Sequence, residues 1–318
     1  MKSSRILIAG VNGNIGSFLL EKLHDKHDVF SVSRSACNIN NKFSQINLTD
    51  WKETYQCIEK LPKVDALIFL VGLAHKKGIG KEIDEFRKVN SQTLVNLLSA
   101  LKEQAKLPNK IIFASTISVY GEKRNQNIYL EDSEKKPFSP YAVTKLEAEE
   151  YLLENYKKQS WILRFAPVYA PNFELNINRR TKFGNRFYRV GRGDGKLSLC
   201  NLENIGLAIQ RIIEDKVPAG IYNISDAKDY SYNDLLNYVN AKWTLPIPRF
   251  LVKGLYIIGK MMNNIFLKEN AIKLVSDNIF PSDKIRKYIE LPYTLDRKST
   301  NKSLQKQKCI ISEQDEQK

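Results

Sequence analysis

The feature that most constrains this chain is Gly10-Val-Asn-Gly13-Asn-Ile-Gly16. It follows the apolar run Arg5–Ala9 directly and opens a stretch with helical spacing at Ile15, Phe18, Leu19 and Leu23. A buried strand, a glycine turn and a helix in that order begin a parallel α/β sheet. Such glycines let the backbone approach a pyrophosphate, while the helix N-terminus offers free N–H groups and the positive end of its dipole. Gly10, Asn12, Gly13, Asn14, Ile15 and Gly16 are therefore candidate dinucleotide contacts. The spacing is GxxGxxG rather than GxGxxG, so the weight rests on the strand-to-helix context.

The rhythm continues. Apolar runs at 29–33, 65–72, 110–116 and 161–167 read as strands, with helical stretches at 82–104 and from about Pro140 to Lys157. This alternation predicts a Rossmann-type, doubly wound parallel sheet over residues 1–170. After about Pro171 the pattern breaks. Residues 172–200 read as loops, 201–214 and 231–241 as helices, and 220–225 as a strand returning to the main sheet. The fold class is α/β with a smaller mixed α/β substrate-binding part over 171–297, and 298–318 read as a polar tail. The amphipathic stretch 250–267 is expected to pack against the substrate-binding part rather than lie on a membrane.

Lys plus Arg number 50 against 35 Asp plus Glu, a net +15. The basic residues are spread along the chain without a nucleic-acid-binding signature, so a soluble surface and a small anionic ligand account for them better than nucleic acid. Cys37, Cys57, Cys200 and Cys309 are scattered, and only three histidines occur. Neither a disulfide framework nor a metal site is expected, and a reducing, cytoplasmic setting is. Cys200 reads as core packing. No apolar run is long enough to span a bilayer, and the N-terminus does not read as a secretory signal.

Three further segments carry chemistry. The second strand ends Ser33-Arg34, with an arginine and no carboxylate where a ribose 2′-hydroxyl would be read; this favours NADP(H), with NAD(H) as the alternative. Ala114-Ser115-Thr116-Ile-Ser-Val-Tyr-Gly121 lies at the carboxyl end of a strand, the edge where open α/β sheets bind ligands. Tyr141 and Lys145 share one face of the next helix. An ammonium near the phenol is expected to favour the phenolate and let it trade protons at neutral pH. The same YxxxK spacing recurs at Tyr238/Lys242 and Tyr256/Lys260, which read as ordinary helix positions.

These segments in this order resemble the extended short-chain dehydrogenase/reductases of the NAD-dependent epimerase/dehydratase family, which act on nucleotide sugars. The matching stretches are GVNGNIG, INLTD (46–50), FLVGLAH (69–75), KVNSQT around Asn90, STISVYG, SPYAVTK and LRFAPVYAP (163–171). The resemblance implies that Thr116, Tyr141 and Lys145 are catalytic. It places Asn47 and Leu48 near the adenine, Leu70, Val71 and Gly72 along the cofactor, Asn90 beneath the catalytic helix, and Ser115 beside the cofactor. It puts Asn176 and Lys196, in the region of Lys182, Arg186 and Arg192, among the substrate contacts. Asn47 stands where the family has Asp, and Pro167 and Ala170 replace its usual Asn and Gly.

The resemblance implies a nucleotide-sugar substrate and polysaccharide precursor synthesis, admits a homodimer, and implies no stable membrane insertion. NADPH-dependent reduction of a 4-keto UDP- or dTDP-sugar is the first expectation. In it Tyr141 gives the proton, Thr116 orients the oxygen, and Lys145 holds the cofactor ribose and lowers the tyrosine pKa. A 4-epimerase is the alternative, followed by a cofactor-sensing regulator. Ile117 and Ser118 stand where the 4,6-dehydratases carry their acids, so dehydration is disfavoured.

Overall fold

The computed structural model describes residues 3–36, 42–73, 83–121, 126–262 and 264–295. The 298–318 tail, His75, Cys37 and Cys309 fall outside these residues. Seven parallel strands form the main sheet: β1 (Arg5–Ala9), β2 (Asp28–Ser33), β3 (Phe43–Gln45), β4 (Ala66–Phe69), β5 (Lys110–Thr116), β6 (Ser160–Phe165) and the strand Gly220–Ile224. Their spatial order is Gly220–Ile224, β6, β5, β4, β1, β2, β3. The chain reverses direction across the sheet between β1 and β4, and the crevice above that point is where ligands of such sheets bind.

Strand alternation makes two apolar layers. Ile6 and Ile8 of β1 face one, with Phe18 and Leu19 of α1 (Asn14–Leu23) and Ile205 and Ile209 of the helix Leu202–Ile213. Leu7 and Ala9 face the other, with Ile58 of α2 (Trp51–Lys60), Leu94, Leu97 and Leu98 of α4 (Thr93–Glu103), and Ala148 and Leu152 of α5 (Pro140–Asn155). The helix expected over 82–104 is interrupted. A short helix α3 (Ile83–Arg87) leads into a π-helical turn, Lys88–Gln92, before α4. The bulge contains buried Asn90, whose side chain reaches the backbone beyond β4, and such bulges often mark functional positions.

Residues 172–200 are not all loops. They contain the helix Leu175–Thr181 and the strands Lys182–Phe183, Arg186–Val190 and Lys196–Leu197. Arg186–Val190 pairs antiparallel with Lys182–Phe183 and parallel with Leu245–Ile247. A buried polar knot ties this part to the main sheet. Asp226 accepts from the Tyr169 and Tyr230 hydroxyls at 2.7 and 2.8 Å, and from Asn201 N and Asn204 Nδ2 at 2.7 and 2.8 Å. Cys200 is fully buried within the core.

The stretch 250–267 is broken and only partly covered. It is two helices, Arg249–Met261 and Ile265–Val275, broken where Asn264 caps the second through Leu267 N. Only Val252 and Gly259 of the first are buried. Val252 and half-buried Tyr256 pack with Tyr188, Val190 and Ala271 of the 171–297 part, while Phe250, Leu251, Leu255, Ile257, Ile258 and Met261 face solvent.

Candidate active site

The glycine turn is shaped by two different constraints. Gly10 has φ +90°, and a Cβ there would lie 3.0 Å from the Leu70 and Val71 backbone. A Cβ on Gly16 would sit 2.4 Å from Gly10 O. Both glycines are required by the protein's own packing. Gly13 is not. It caps α1 with ordinary extended angles, and a Cβ would meet nothing nearer than Gly10 O at 3.7 Å. No side chain caps this helix, and its first turn carries no acid. Free N–H groups thus face open space kept clear by Gly13, an arrangement that fits a dinucleotide diphosphate.

Around this turn, Asn12 Nδ2 donates to Ser35 O at 2.9 Å and ties the turn to the end of β2. Asn14 and Ile15 begin α1. Ser33 ends β2 half-buried, and Arg34 is exposed. Asn47 Oδ1 accepts from the Thr49 hydroxyl at 2.9 Å, and Asn47 N donates to Glu53. Buried Leu48 is held through its carbonyl by Asn96 Nδ2 at 2.9 Å.

Thr116 ends β5, and Tyr141 lies in the first turn of α5. Ser139 caps that helix through Ala142 N, and Pro140 takes its first position, where a missing N–H costs nothing. The start of α5 is thereby fixed, and the Tyr141 hydroxyl faces Thr116, whose hydroxyl favours the phenolate. Burial pushes the Tyr141 phenol up to about 12, and the Thr116 hydroxyl opposes this only in part. The expectation that Lys145 lowers this pKa does not describe the protein without ligand. Tyr141 is held as the neutral phenol.

Lys145 lies one turn further on α5. It is buried, and Nζ donates to Val71 O at 3.1 Å and Ala114 O at 2.9 Å, 4.6 Å from the centre of the Phe113 ring. Burial pushes its amine down to about 7, against the pull of Glu149. Gly72 makes room for it, because a Cβ there would touch Lys145 Cε and Nζ at 3.2 Å. Leu70 packs against the core. Asn90 Oδ1 accepts from Leu73 N at 2.6 Å and Asn90 Nδ2 donates to Thr144 Oγ1 at 3.0 Å, so the π bulge braces the underside of α5.

Ser115 points away from this cluster, into a network the sequence reading missed. Its hydroxyl donates to Glu149, which pairs with Arg164 through Nη2 at 2.6 Å and Nε at 3.0 and 3.2 Å. Arg164 also reaches Tyr120 Oη at 2.9 Å, which donates to Asn223 Oδ1 at 2.6 Å. Both members of the ion pair are fully buried. Glu149 continues the row 141, 145, 149 on one face of α5; a carboxylate four residues past Lys145 was the available signal.

The two substrate-contact candidates do not join the cluster. Asn176 donates its amide to Val168 O at 2.8 Å. Lys196 is exposed, with its backbone N bound to Asp277 at 2.7 Å. No hydrogen bond or ion pair among the described residues links either to Thr116, Tyr141 or Lys145. Nor, among the described residues, does any group of His, Cys, Asp and Glu side chains stand ready to hold a metal.

The model of the NAD dependent epimerase/dehydratase family matches residues 6–228. An uncharacterized UDP-glucose epimerase of Bacillus subtilis is 34% identical over 187 residues, covering 52% of this chain and 57% of that protein. The chain thus spans little more than half the length of that relative. The N-acetyl-alpha-D-glucosaminyl-diphospho-ditrans,octacis-undecaprenol 4-epimerase of Escherichia coli O157:H7 is 26% identical over 256 residues, covering 77% of this chain and 74% of that protein. Among solved structures, the UDP-glucose 4-epimerase of Thermotoga maritima with UDP-glucose superposes with a TM-score of 0.70 at 20% identity, over 92% of this chain and 94% of that one.

Proposed function

This chain belongs to the NAD-dependent epimerase/dehydratase family, and from that premise we propose that it inverts C4 of a sugar carried on a diphosphate, by oxidation and re-reduction at that carbon. The observation that carries the reading is Thr116 facing the Tyr141 hydroxyl, with buried Lys145 one turn further on, at the carboxyl edge of the parallel sheet that also carries the Gly13 turn. A nicotinamide dinucleotide, when bound, supplies a reversible hydride acceptor. Gly10, Gly13 and the first turn of α1 would hold its diphosphate. Once its own proton has passed to solvent, Tyr141 Oη would as phenolate take the proton of the sugar hydroxyl and return it to the ketone oxygen, and Thr116 Oγ1 would hold that oxygen in line. Lys145, on the same face of α5, would in its protonated form offset the charge when the phenol gives up its proton.

Two relatives named as epimerases put inversion ahead of the net reduction that the sequence alone ranked first. Net reduction of a 4-keto sugar stands second, favoured by exposed Arg34 at the end of β2, a position suited to the 2′-phosphate of NADPH. Dehydration lacks its acids: Ile117 is buried, and the Ser118 hydroxyl lies 3.3 Å from Thr116 Oγ1. A place in surface-polysaccharide synthesis fits either reaction. The test is incubation with UDP-glucose, UDP-GlcNAc or polyprenyl-diphospho-GlcNAc, without added dinucleotide, and separation of the sugars. A 4-epimer from any of them supports inversion. Stoichiometric NADPH oxidation with a 4-keto sugar and no epimer would transfer the assignment to reduction.

A further inference from the structure

The helix Arg249–Met261 turns its apolar side away from the protein. Val252 and Gly259, seven residues apart, are its buried positions, and Val252 packs with Tyr188, Val190 and Ala271. At about 100° per residue, Phe250, Ile258 and Met261 fall on the other side of the helix. They are 70%, 46% and 82% exposed. Arg249, Lys253 and Lys260 form a separate row at i, i+4 and i+11, along the edge between the buried and the exposed apolar sides. A helix built only to cover a core would bury its apolar stripe; this one buries a narrow line and presents the broad face.

The neighbouring sheet continues the pattern. Phe183 pairs with Arg186 on this sheet, and Trp243 lies two residues before its strand Leu245–Ile247. Trp243 and Phe183 are 62% and 84% exposed. The charge is predominantly basic, although Arg249 is paired with Asp194 at 2.5 Å. Residues 175–193 and 235–268 together hold eleven lysines and arginines and no aspartate or glutamate. The surface also adjoins the catalytic helix. Lys268, on the helix packed against Gly259, holds Nζ 4.8 Å from the centre of the Phe138 ring, immediately before the Ser139 cap of α5.

From this geometry we propose that the helix Arg249–Met261, with the adjoining Phe183 and Trp243 edge, docks the protein on the surface of an anionic lipid bilayer. Charge complementarity selects that occupant: the apolar side chains enter the acyl boundary while the basic row meets anionic headgroups. A second copy of the chain on this face would bring two surfaces of net positive charge together, Lys253 and Lys260 included. Thirteen residues span about 20 Å, short of the roughly 30 Å hydrocarbon core, so the helix lies in the interface. No helix among the described residues is long and apolar enough to cross a membrane. The docking is independent of which C4 reaction the site performs.

The test is flotation of the full chain with vesicles of phosphatidylcholine alone or mixed with phosphatidylglycerol. The protein rises with the mixed vesicles, and added salt weakens its binding. The triple variant Phe250→Ser, Ile258→Ser, Met261→Ser loses partitioning on the order of a hundredfold. Lys253→Glu with Lys260→Glu loses the preference for phosphatidylglycerol. Thermal melting of both variants stays at the wild-type value, because every altered side chain is exposed. Failure of wild type to float, or flotation of the triple variant as well as wild type, overturns the proposal. So does a wild-type dimer in sedimentation velocity that the triple variant dissolves while neither binds vesicles, which would assign the face to a second copy.

Discussion

Replacing Gly13 by alanine separates the needs of the fold from those of the dinucleotide. The added methyl meets no atom nearer than 3.7 Å, and φ −75°, ψ 161° suits any residue. Two small effects on stability oppose each other. Alanine restricts the unfolded chain, worth about 0.4–1 kcal/mol in favour of folding. It is also a poorer N-cap than glycine, at a cost of roughly 1 kcal/mol. The melting temperature should therefore move by no more than a few degrees. The methyl does project into the space ahead of the α1 N-terminus, where a diphosphate must approach the backbone. Cofactor affinity should fall on the order of tenfold to a hundredfold, equivalent to about 1.4–2.8 kcal/mol. Gly16→Ala is the contrast: its methyl would meet Gly10 O at 2.4 Å, and the variant should lose its fold. Thermal melting and fluorescence titration with NADH and NADPH read both quantities. Unchanged cofactor affinity in Gly13→Ala, or its unfolding, would refute the separation.

Tyr141→Phe should keep cofactor affinity and lower turnover by about 10²–10⁴, whereas Tyr256→Phe should leave kcat unchanged; steady-state kinetics on both variants checks the choice among the YxxxK sites. Glu149→Ala leaves Arg164 charged and unpaired in a fully buried site, so chemical denaturation should show a loss of about 3–5 kcal/mol. The depressed pKa of Lys145 gives a pH effect of definite sign. Between about 7 and the ordinary lysine value the unfolded chain holds a proton that the folded one has released, so stability rises with pH across that window. In the cofactor-free protein, Lys145→Met should flatten that rise in melting temperature.

The main sheet was legible because its strands are continuous apolar runs and the glycine turn fixes where the first helix begins. Thr116, Tyr141 and Lys145 were legible as types in order, and the fold brings them together because β5 and α5 meet at one sheet edge. Their electrostatics were not: whether a phenol beside a lysine ionises depends on burial, which spacing does not encode. Glu149 and Arg164 escaped notice because a charged pair looks like surface until two elements close over it. Asn176 and Lys196 were assigned by region alone, and their hydrogen bonds run elsewhere. The apolar helix at 249–261 packs on the 171–297 part through Val252 and Tyr256, but periodicity did not say how much of its apolar surface the protein covers.

The central claim, that C4 is oxidised and reduced again within one site, is tested most directly with UDP-GlcNAc or polyprenyl-diphospho-GlcNAc deuterated at C4, incubated without added dinucleotide. The account expects the 4-epimer to form with its deuterium retained at C4, and to be lost with Tyr141→Phe. No epimer from either substrate, or an epimer whose deuterium has exchanged into water, would contradict it.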